Sequence, residues 1–452
     1  MRPTALPWIL ALCFSLSPLM PASASGQSVE PGKPAYTLED CISMGVERAS
    51  SLLNAERDEQ IARARTRQSK AQIYPELSTD ASYTRRDKLS TFDFGGTQVE
   101  MGKLDNYSAS ATLSQLLYSG GKARAGIRAA NYYGQYAKLG TEIARRQLIR
   151  DIRQSFYDLL LARDRVDVES ESVKQLADFV AQTEQKYRSG TASEFDLLTA
   201  KVRLANENPN LVRARSDLAV GRESFANLLK LDSSNFTLVG TLTYEAVTAT
   251  LEALQQEGLE SRTELQQMAK WIQLLKEDAK VARGDYFPTL RAKALYTGDN
   301  PDQYSSGAGD SGWGWHWTAL LTAEWSIFDG GLRRGIMIEK NLELLKAETD
   351  MEDLKRNVLL EIKQAYLDMQ HAQEALEGAR ENVDLARKAL SIAKTRYEQG
   401  LSTYLEFTET NLALSTAQLA HATALRDHAD AVARLRYACG QKDEFDQKES
   451  KP

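Results

Sequence analysis

The side chains best equipped for chemistry are few. Four histidines, His316, His371, His421 and His428, and three cysteines, Cys13, Cys41 and Cys439, are the only imidazoles and thiols in 452 residues. They show no metalloprotease or zinc-finger spacing, and no cysteine and histidine stand at a recognisable catalytic interval. His421 and His428 lie seven apart in a helical pattern whose earlier counterpart carries Leu211 and Leu218, so they read as residues of a packing seam or a lumen wall. There is no phosphate-cradling glycine loop and no nucleophile elbow. Neither catalysis nor a cofactor nor a metal site is expected. Lys+Arg of 56 against Asp+Glu of 62 gives a net charge of -6, which repels polyphosphate, so no nucleic-acid partner is expected.

What remains is architecture. With 42% hydrophobic and 26% charged residues and only 11 prolines, the composition is that of a long, helix-rich chain. Its one uninterrupted apolar stretch runs from Leu6 to Met20, behind Arg2 and ahead of Ala22-Ser23-Ala24. That is the pattern of a signal peptide over residues 1–24, with the mature chain starting at Ser25. Nothing downstream is apolar enough to cross a bilayer as a helix, so any membrane insertion must use strands. Cys13 falls in the leader, and Leu12 before it disfavours lipid attachment. Cys41 and Cys439 remain after export and read as small buried apolar residues, with a disulfide between them as the alternative.

The chain is written twice. Ile152-Arg153-Gln154-Ser155-Phe156-Tyr157-Asp158-Leu159 matches Ile362-Lys363-Gln364-Ala365-Tyr366-Leu367-Asp368-Met369, a displacement of 210. Tyr187-Arg188-Ser189-Gly190 pairs with Tyr397-Glu398-Gln399-Gly400, and Ser119-Gly120-Gly121 with Asp329-Gly330-Gly331, at the same displacement. Upstream, Tyr74-Pro75 matches Phe287-Pro288 at 213. The first repeat spans 25–232, the second 233–440, and 441–452 is a polar tail. Each repeat reads as a helix, two strands, a Gly-Gly junction, a very long helix and a return helix after a glycine turn.

Period-two alternation predicts strands over about 76–89 and 105–118, and over about 289–297 and 315–328. Polar loops from Arg85 to Gly102 and from Gly298 to Gly314 join them. A tryptophan cluster at a strand end and long wet loops on one side suit an outer-membrane barrel. A soluble sheet with one buried face gives the same alternation. In lipid, four strands cannot close a lumen and open edges are not tolerated. Two copies give eight strands with a filled interior, whereas three give twelve and leave room for water, so a trimer with a pore is favoured.

The long helices are predicted over about 121–188 and 331–398, and the return helices over about 193–230 and 403–438. Leu197, Leu204, Leu211, Leu218 and Phe225 recur every seven residues in the first return helix. Phe407, Leu414, His421, His428 and Leu435 keep that register in the second. Ala372, Ala375, Ala379, Ala386 and Ala393 form a small-residue seam, and Pro209 is expected to kink or break its helix. The fold class is therefore mixed and mostly α: long antiparallel coiled-coil helices forming an α-barrel, plus four strands per chain contributing to a trimeric twelve-stranded transmembrane β-barrel.

In the order and doubling of these motifs, the mature chain resembles the TolC-like outer-membrane efflux family. The junctions Leu117-Tyr118-Ser119-Gly120-Gly121 and Ile327-Phe328-Asp329-Gly330-Gly331 and the two tyrosine-glycine turns carry the likeness. The resemblance implies a homotrimeric exit duct in the outer membrane with a long periplasmic extension, contacting outer-membrane lipid. It also implies two partners, a periplasmic adaptor (membrane fusion) protein and an inner-membrane pump or ABC transporter. By the same resemblance Tyr187, Gly190, Thr191, Ser193, Tyr397, Gly400, Leu401 and Ser402 form the periplasmic tip that meets the adaptor. Glu406 and Glu409, nine and twelve residues beyond Tyr397, narrow the channel as acidic rings. Ser402 stands where the family often has a latching arginine. The alternative reading is an exported periplasmic coiled-coil scaffold, which needs the helices but not two matched hairpins.

Overall fold

A computed structural model describes residues 34–302, 312–399 and 401–441; the leader, Gly400 and the tail beyond Gln441 lie outside them. The first repeat runs β1 (Ala35–Tyr36), α1 (Leu38–Arg48), α2 (Ser50–Ala71), β2 (Glu76–Arg85), β3 (Ser90–Phe94), β4 (Thr97–Met101), β5 (Asp105–Ser119), α3 (Lys122–Arg188) and α4 (Glu194–Leu229). After β6 (Thr237–Leu238) the second runs α5 (Leu251–Ser261), α6 (Thr263–Gly284), β7 (Thr289–Asn300), β8 (Gly314–Glu324), α7 (Leu332–Glu398) and α8 (Tyr404–Ala438). The rods α3 and α7 are 67 residues each. At about 1.5 Å per residue each is about 100 Å long.

The helix expected at the head of each repeat is two helices. Ala49 and Arg262 take extended backbone and break them, at φ −64°, ψ 123° and φ −66°, ψ 118°. The short leading helices cross the rods at glycines. A Cβ on Gly45 would lie 2.3 Å from Ile152 Cδ1, and one on Gly258 would lie 2.3 Å from Ile362 Cδ1. Both isoleucines are fully buried, so only glycine admits this approach.

Pro209 does not break α4, which continues through it from Glu194 to Leu229. The proline removes one backbone donor. α4 is held along its length against α3, and the helix persists.

Strands β2, β5, β7 and β8 form one antiparallel sheet in that order. Its register repeats the duplication: Leu77 lies opposite Leu113, and their counterparts Leu290 and Ala323 lie opposite each other. One face carries Leu77, Ala81, Tyr83, Ala109, Leu113, Tyr296, Trp317 and Leu321, and the other Ser78, Asp80, Ser82, Ser108, Ser110, Lys293, Thr318 and Thr322. β2 is exposed along its whole length. The expected loop from Arg85 to Gly102 holds a hairpin, β3 with β4, turning at Gly95 and Gly96, both with positive φ. Residues 303–311 of the second loop lie outside the described set.

Two cores mirror each other where the leading helices cross the rods. One gathers Cys41, Ile42, Ile152, Phe156, Phe225 and Leu229; the other gathers Leu254, Val358, Ile362, Met369, Leu435 and Cys439. Cys41 and Cys439 are thus free thiols in different cores, and the disulfide alternative fails. Each occupies a seat that the other repeat fills with leucine, Leu254 and Leu229. Burial pushes both thiols up, to about 12 for Cys41 and about 11 for Cys439.

β1 pairs in parallel with β6, fastening the connection between repeats to the first helix pair. The irregular strap that follows crosses α3 and α8: Arg163 donates to Leu238 O and Gly240 O, and Tyr244 lies over His428 with ring centroids 4.9 Å apart.

Candidate functional site: the glycine turns and the helix junctions

The first rod turns back at a glycine. After α3, Gly190 takes φ 75° and Thr191 N donates to Lys186 O at 2.8 Å, satisfying a terminal carbonyl of the rod. Ser193 then caps α4. Its hydroxyl accepts from Asp196 N at 3.1 Å, while the Asp196 carboxylate accepts the Ser193 amide at 3.2 Å and its hydroxyl at 2.7 Å. After α7, Leu401 N donates to Arg396 O at 2.8 Å, the same closure 210 residues on, around a Gly400 outside the described residues.

Glu406 occupies the position of Asp196, and its extra methylene changes its partners. One carboxylate oxygen accepts the Ser402 hydroxyl at 2.7 Å and the other accepts Arg396 Nη1 at 3.1 Å. Thr403 caps α8, accepting from Glu406 N at 3.4 Å, and Arg396 Nη2 donates to Leu401 O at 3.5 Å. The structure therefore brings Ser402, expected in the tip where the family often has a latching arginine, together with Glu406. Both charges remain substantially exposed, at 50% for Arg396 and 40% for Glu406. Glu409, almost one turn further, is exposed and makes no hydrogen bond or ion pair among the described residues.

Behind the turns the two hairpins lock through aromatic rings. Phe179 of α3 stacks on Phe407 of α8 at 4.8 Å and meets Tyr397 of α7 at 5.0 Å, with Lys186 Nζ 4.2 Å from the Tyr397 ring centre. Tyr397 is consumed by this contact, whereas its counterpart Tyr187 is 42% exposed. Gly190, Thr191 and Leu401 are exposed, and Ser193 and Ser402 fall at the heads of the return helices. Phe195 and Leu405 were missed. They are 76% and 63% exposed at matching positions in the first turns of α4 and α8. Their signal was an apolar residue repeated at displacement 210 where a helix's first turn is ordinarily polar.

At the far end of the rods, Gly120, Gly121, Gly330 and Gly331 have φ of 61°, 87°, 64° and 94°. A Cβ on Gly120 would stand 2.4 Å from Gly284 O. The first left-handed pair turns β5 into α3 within two residues, and the second stands immediately before α7, at the end of the seven residues that follow β8. The freed helix amides are taken by side chains: Ser119 Oγ accepts Ala123 N at 3.2 Å, and Asp329 accepts Gly331 N at 3.0 Å and Arg333 N at 3.1 Å. Beside the second junction Trp325, Ile327 and Phe328 are all exposed, and Trp313, Trp315 and Trp317 are exposed at the opposite end of the sheet. Two aromatic bands at the ends of an apolar sheet face match the two interfaces of a bilayer.

The four histidines are dispersed: His316 is in β8 near Asp299, His371 in α7 and His421 in α8 are at the surface or half-buried, and His428 is buried under Tyr244. Among the described residues no helix is long and apolar enough to cross a membrane, which says nothing of the strands.

Comparison with known proteins agrees with this architecture. The family model described as outer membrane efflux protein matches residues 42–229 and again 254–441, one match per repeat. The chain is similar to outer membrane protein TolC of Escherichia coli, 25% identical over 186 residues, which is 40% of this chain and 38% of TolC. The aligned part thus spans well under half of that relative's length. Among solved structures it is similar to VceC of Vibrio cholerae, with a TM-score of 0.74, 19% identity and coverage of 89% of this chain and 96% of VceC. It is also similar to the CmeC outer membrane channel of Campylobacter jejuni, at TM-score 0.77 and 16% identity over 91% of this chain and 88% of CmeC. The open state of the MtrE outer membrane channel of Neisseria gonorrhoeae matches at TM-score 0.75 and 17% identity, over 89% of each chain.

Proposed function

The chain belongs to the outer membrane efflux protein family, and from that premise we propose that three copies form a passive exit duct. Each copy contributes its four strands to a twelve-stranded barrel in the outer membrane and its rods to a helical tube across the periplasm. One observation carries this reading: the β2-β5-β7-β8 sheet has two unpaired edges, an apolar face ringed by aromatics and a polar face. In hydrocarbon those edges must be paired, and twelve strands are enough to leave a wet lumen lined by the polar face.

The duct performs no chemistry of its own. Energy comes from an inner-membrane pump or ABC transporter, and a periplasmic adaptor (membrane fusion) protein docks at the glycine turns. Phe195, Leu401 and Leu405 supply exposed apolar surface for that contact, with Tyr187, Gly190, Thr191 and Ser193 around them. Glu409 is the carboxylate that faces the channel as a ring of three and favours cations. Glu406, tied to Arg396 and Ser402, holds the turn closed and contributes little net charge.

Purified protein in a planar lipid bilayer tests the reading. Stable single-channel conductance with cation preference, and a heat-modifiable oligomer on gels, are expected. A water-soluble monomer without conductance would overturn it and leave the scaffold alternative.

A further inference from the structure

The within-chain joint between the two repeats is a template for the joint between copies. Inside one chain, β5 of the first repeat pairs with β7 of the second, and α3 packs on α8. The remaining edges, β8 and β2, are the counterparts of β5 and β7 under the same duplication, and α7 and α4 are the counterparts of α3 and α8.

From this we infer that β8 of each copy pairs antiparallel with β2 of the next copy in one defined register: Leu321 opposite Tyr83, Thr322 opposite Ser82 and Ala323 opposite Ala81. The inference rests on the three-copy reading above and adds which residues meet. Ala111 faces Tyr296, Thr112 faces Leu295 and Leu113 faces Ala294 within the chain. Advancing the β5 member by 210 and setting the β7 member back by 213 yields the three pairs named. These displacements are not adjustable, because they already convert the β2·β5 register into the observed β7·β8 register.

Two independent observations agree. The register sets Leu321, Ala323, Tyr83 and Ala81 on one apolar face and Thr322 and Ser82 on the polar face, whereas a slip of one residue would mix them. The helices carry the matching signature. Leu198 and Val220 of α4 are 56% and 62% exposed, while their counterparts in α8, Thr408 and Asp430, are 4% and 5% exposed. Apolar residues stand exposed on α4 at places that are covered on α8, which is what a rod from a second copy of this chain would bury.

Disulfide trapping of the full chain in lipid tests the register. Two double variants, Ser82→Cys with Thr322→Cys and Ala81→Cys with Ala323→Cys, cover both kinds of antiparallel pair, since neighbouring pairs alternate in Cα separation. The controls are slipped by two residues, Thr84→Cys with Thr322→Cys and Asp80→Cys with Thr322→Cys, together with each single variant. Directly opposite cysteines fall within disulfide reach and slipped ones lie at or beyond its limit, so covalent trimer should be on the order of ten-fold more abundant in at least one predicted pair than in either slipped pair. Equal or greater yield from a slipped pair, or none from any pair in a particle that is trimeric by mass, overturns the register while leaving three-copy assembly standing. A particle that is monomeric in lipid overturns both.

Discussion

Arg396 and Glu406, ten residues apart across the second glycine turn, form an ion pair at 3.1 Å that Ser402 completes from the other side of the carboxylate. The pair is well exposed, so its loss should cost less than about 1 kcal/mol of global stability. Its consequence lies in the turn. Glu406→Gln and Arg396→Ala are expected to leave the melting temperature nearly unchanged while raising single-channel conductance. Glu409→Gln should instead leave conductance near its original value and weaken cation preference and block by multivalent cations. Ion-selectivity measurements on the variants separate the two roles; a loss of selectivity in Glu406→Gln alone would reverse the assignment.

Gly45 against Ile152 is a contact with no room for a methyl group, repeated by Gly258 against Ile362. Gly45→Ala should destabilise by about 1–3 kcal/mol through overpacking. Ile152→Val removes the atom that clashes, Cδ1, and should recover most of that loss in the double variant. Thermal unfolding of the single and double variants gives the coupling energy, and simple additivity would show that the clash is relieved elsewhere.

Much of this architecture was legible in the sequence because it was written twice. The displacements of 210 and 213 fixed which strands and rods correspond, and β5, β7, α3 and α7 begin and end close to where alternation and the glycine pairs put them. The β3-β4 hairpin was not seen, since its strands are only five residues each, although Phe92, Phe94, Val99 and Met101 alternate with polar residues and Gly95-Gly96 was a turn signal. The β1-β6 pairing joins two-residue strands about two hundred positions apart, and nothing local announces it. At the tip, the glycine turns could be located, but the partners of Glu406 could not, because they depend on where Arg396 and Ser402 come to lie in space. Pro209 misled for a related reason: propensity spoke for a break, and packing of α4 on α3 overrode it.

Phe179 links the first rod to the second hairpin through Phe407 and Tyr397. Replacing this buried ring, Phe179→Ala, removes packing ordinarily worth about 3–5 kcal/mol. The loss should be local, because the two cores near the leading helices are separate clusters. Limited proteolysis is expected to cut near residues 188–193 and 398–403 much faster than in the unmodified protein, with trimer yield unchanged. Loss of assembly would show that the tip contributes to oligomerisation.

His428 is buried where the first repeat has Leu218, and neither ring nitrogen has a hydrogen-bond partner among the described residues. Arg153 and Tyr157 of α3, Glu245 of the strap and Arg436 of α8 line the same small cavity of about 90 Å³. Burial pushes the imidazole below its ordinary value, with the Glu245 carboxylate pulling the other way. A folded-state value below the unfolded one means that the unfolded chain binds the extra proton. The stabilisation is therefore complete above the unfolded value of 6.5 and is lost as pH falls towards the folded value. His428→Leu should raise the melting temperature at about pH 5 more than at about pH 7.5, flattening the acid side of the profile. An equal shift at both would remove His428 as the source of acid sensitivity.

The central claim is that three chains pool their sheets and rods around one axis, and imaging single particles in lipid nanodiscs tests it most directly. The account predicts three chains around a hollow axis, twelve strands inside the lipid disc and a helical tube extending about 100 Å from it. A lone chain with its sheet outside the disc would contradict it.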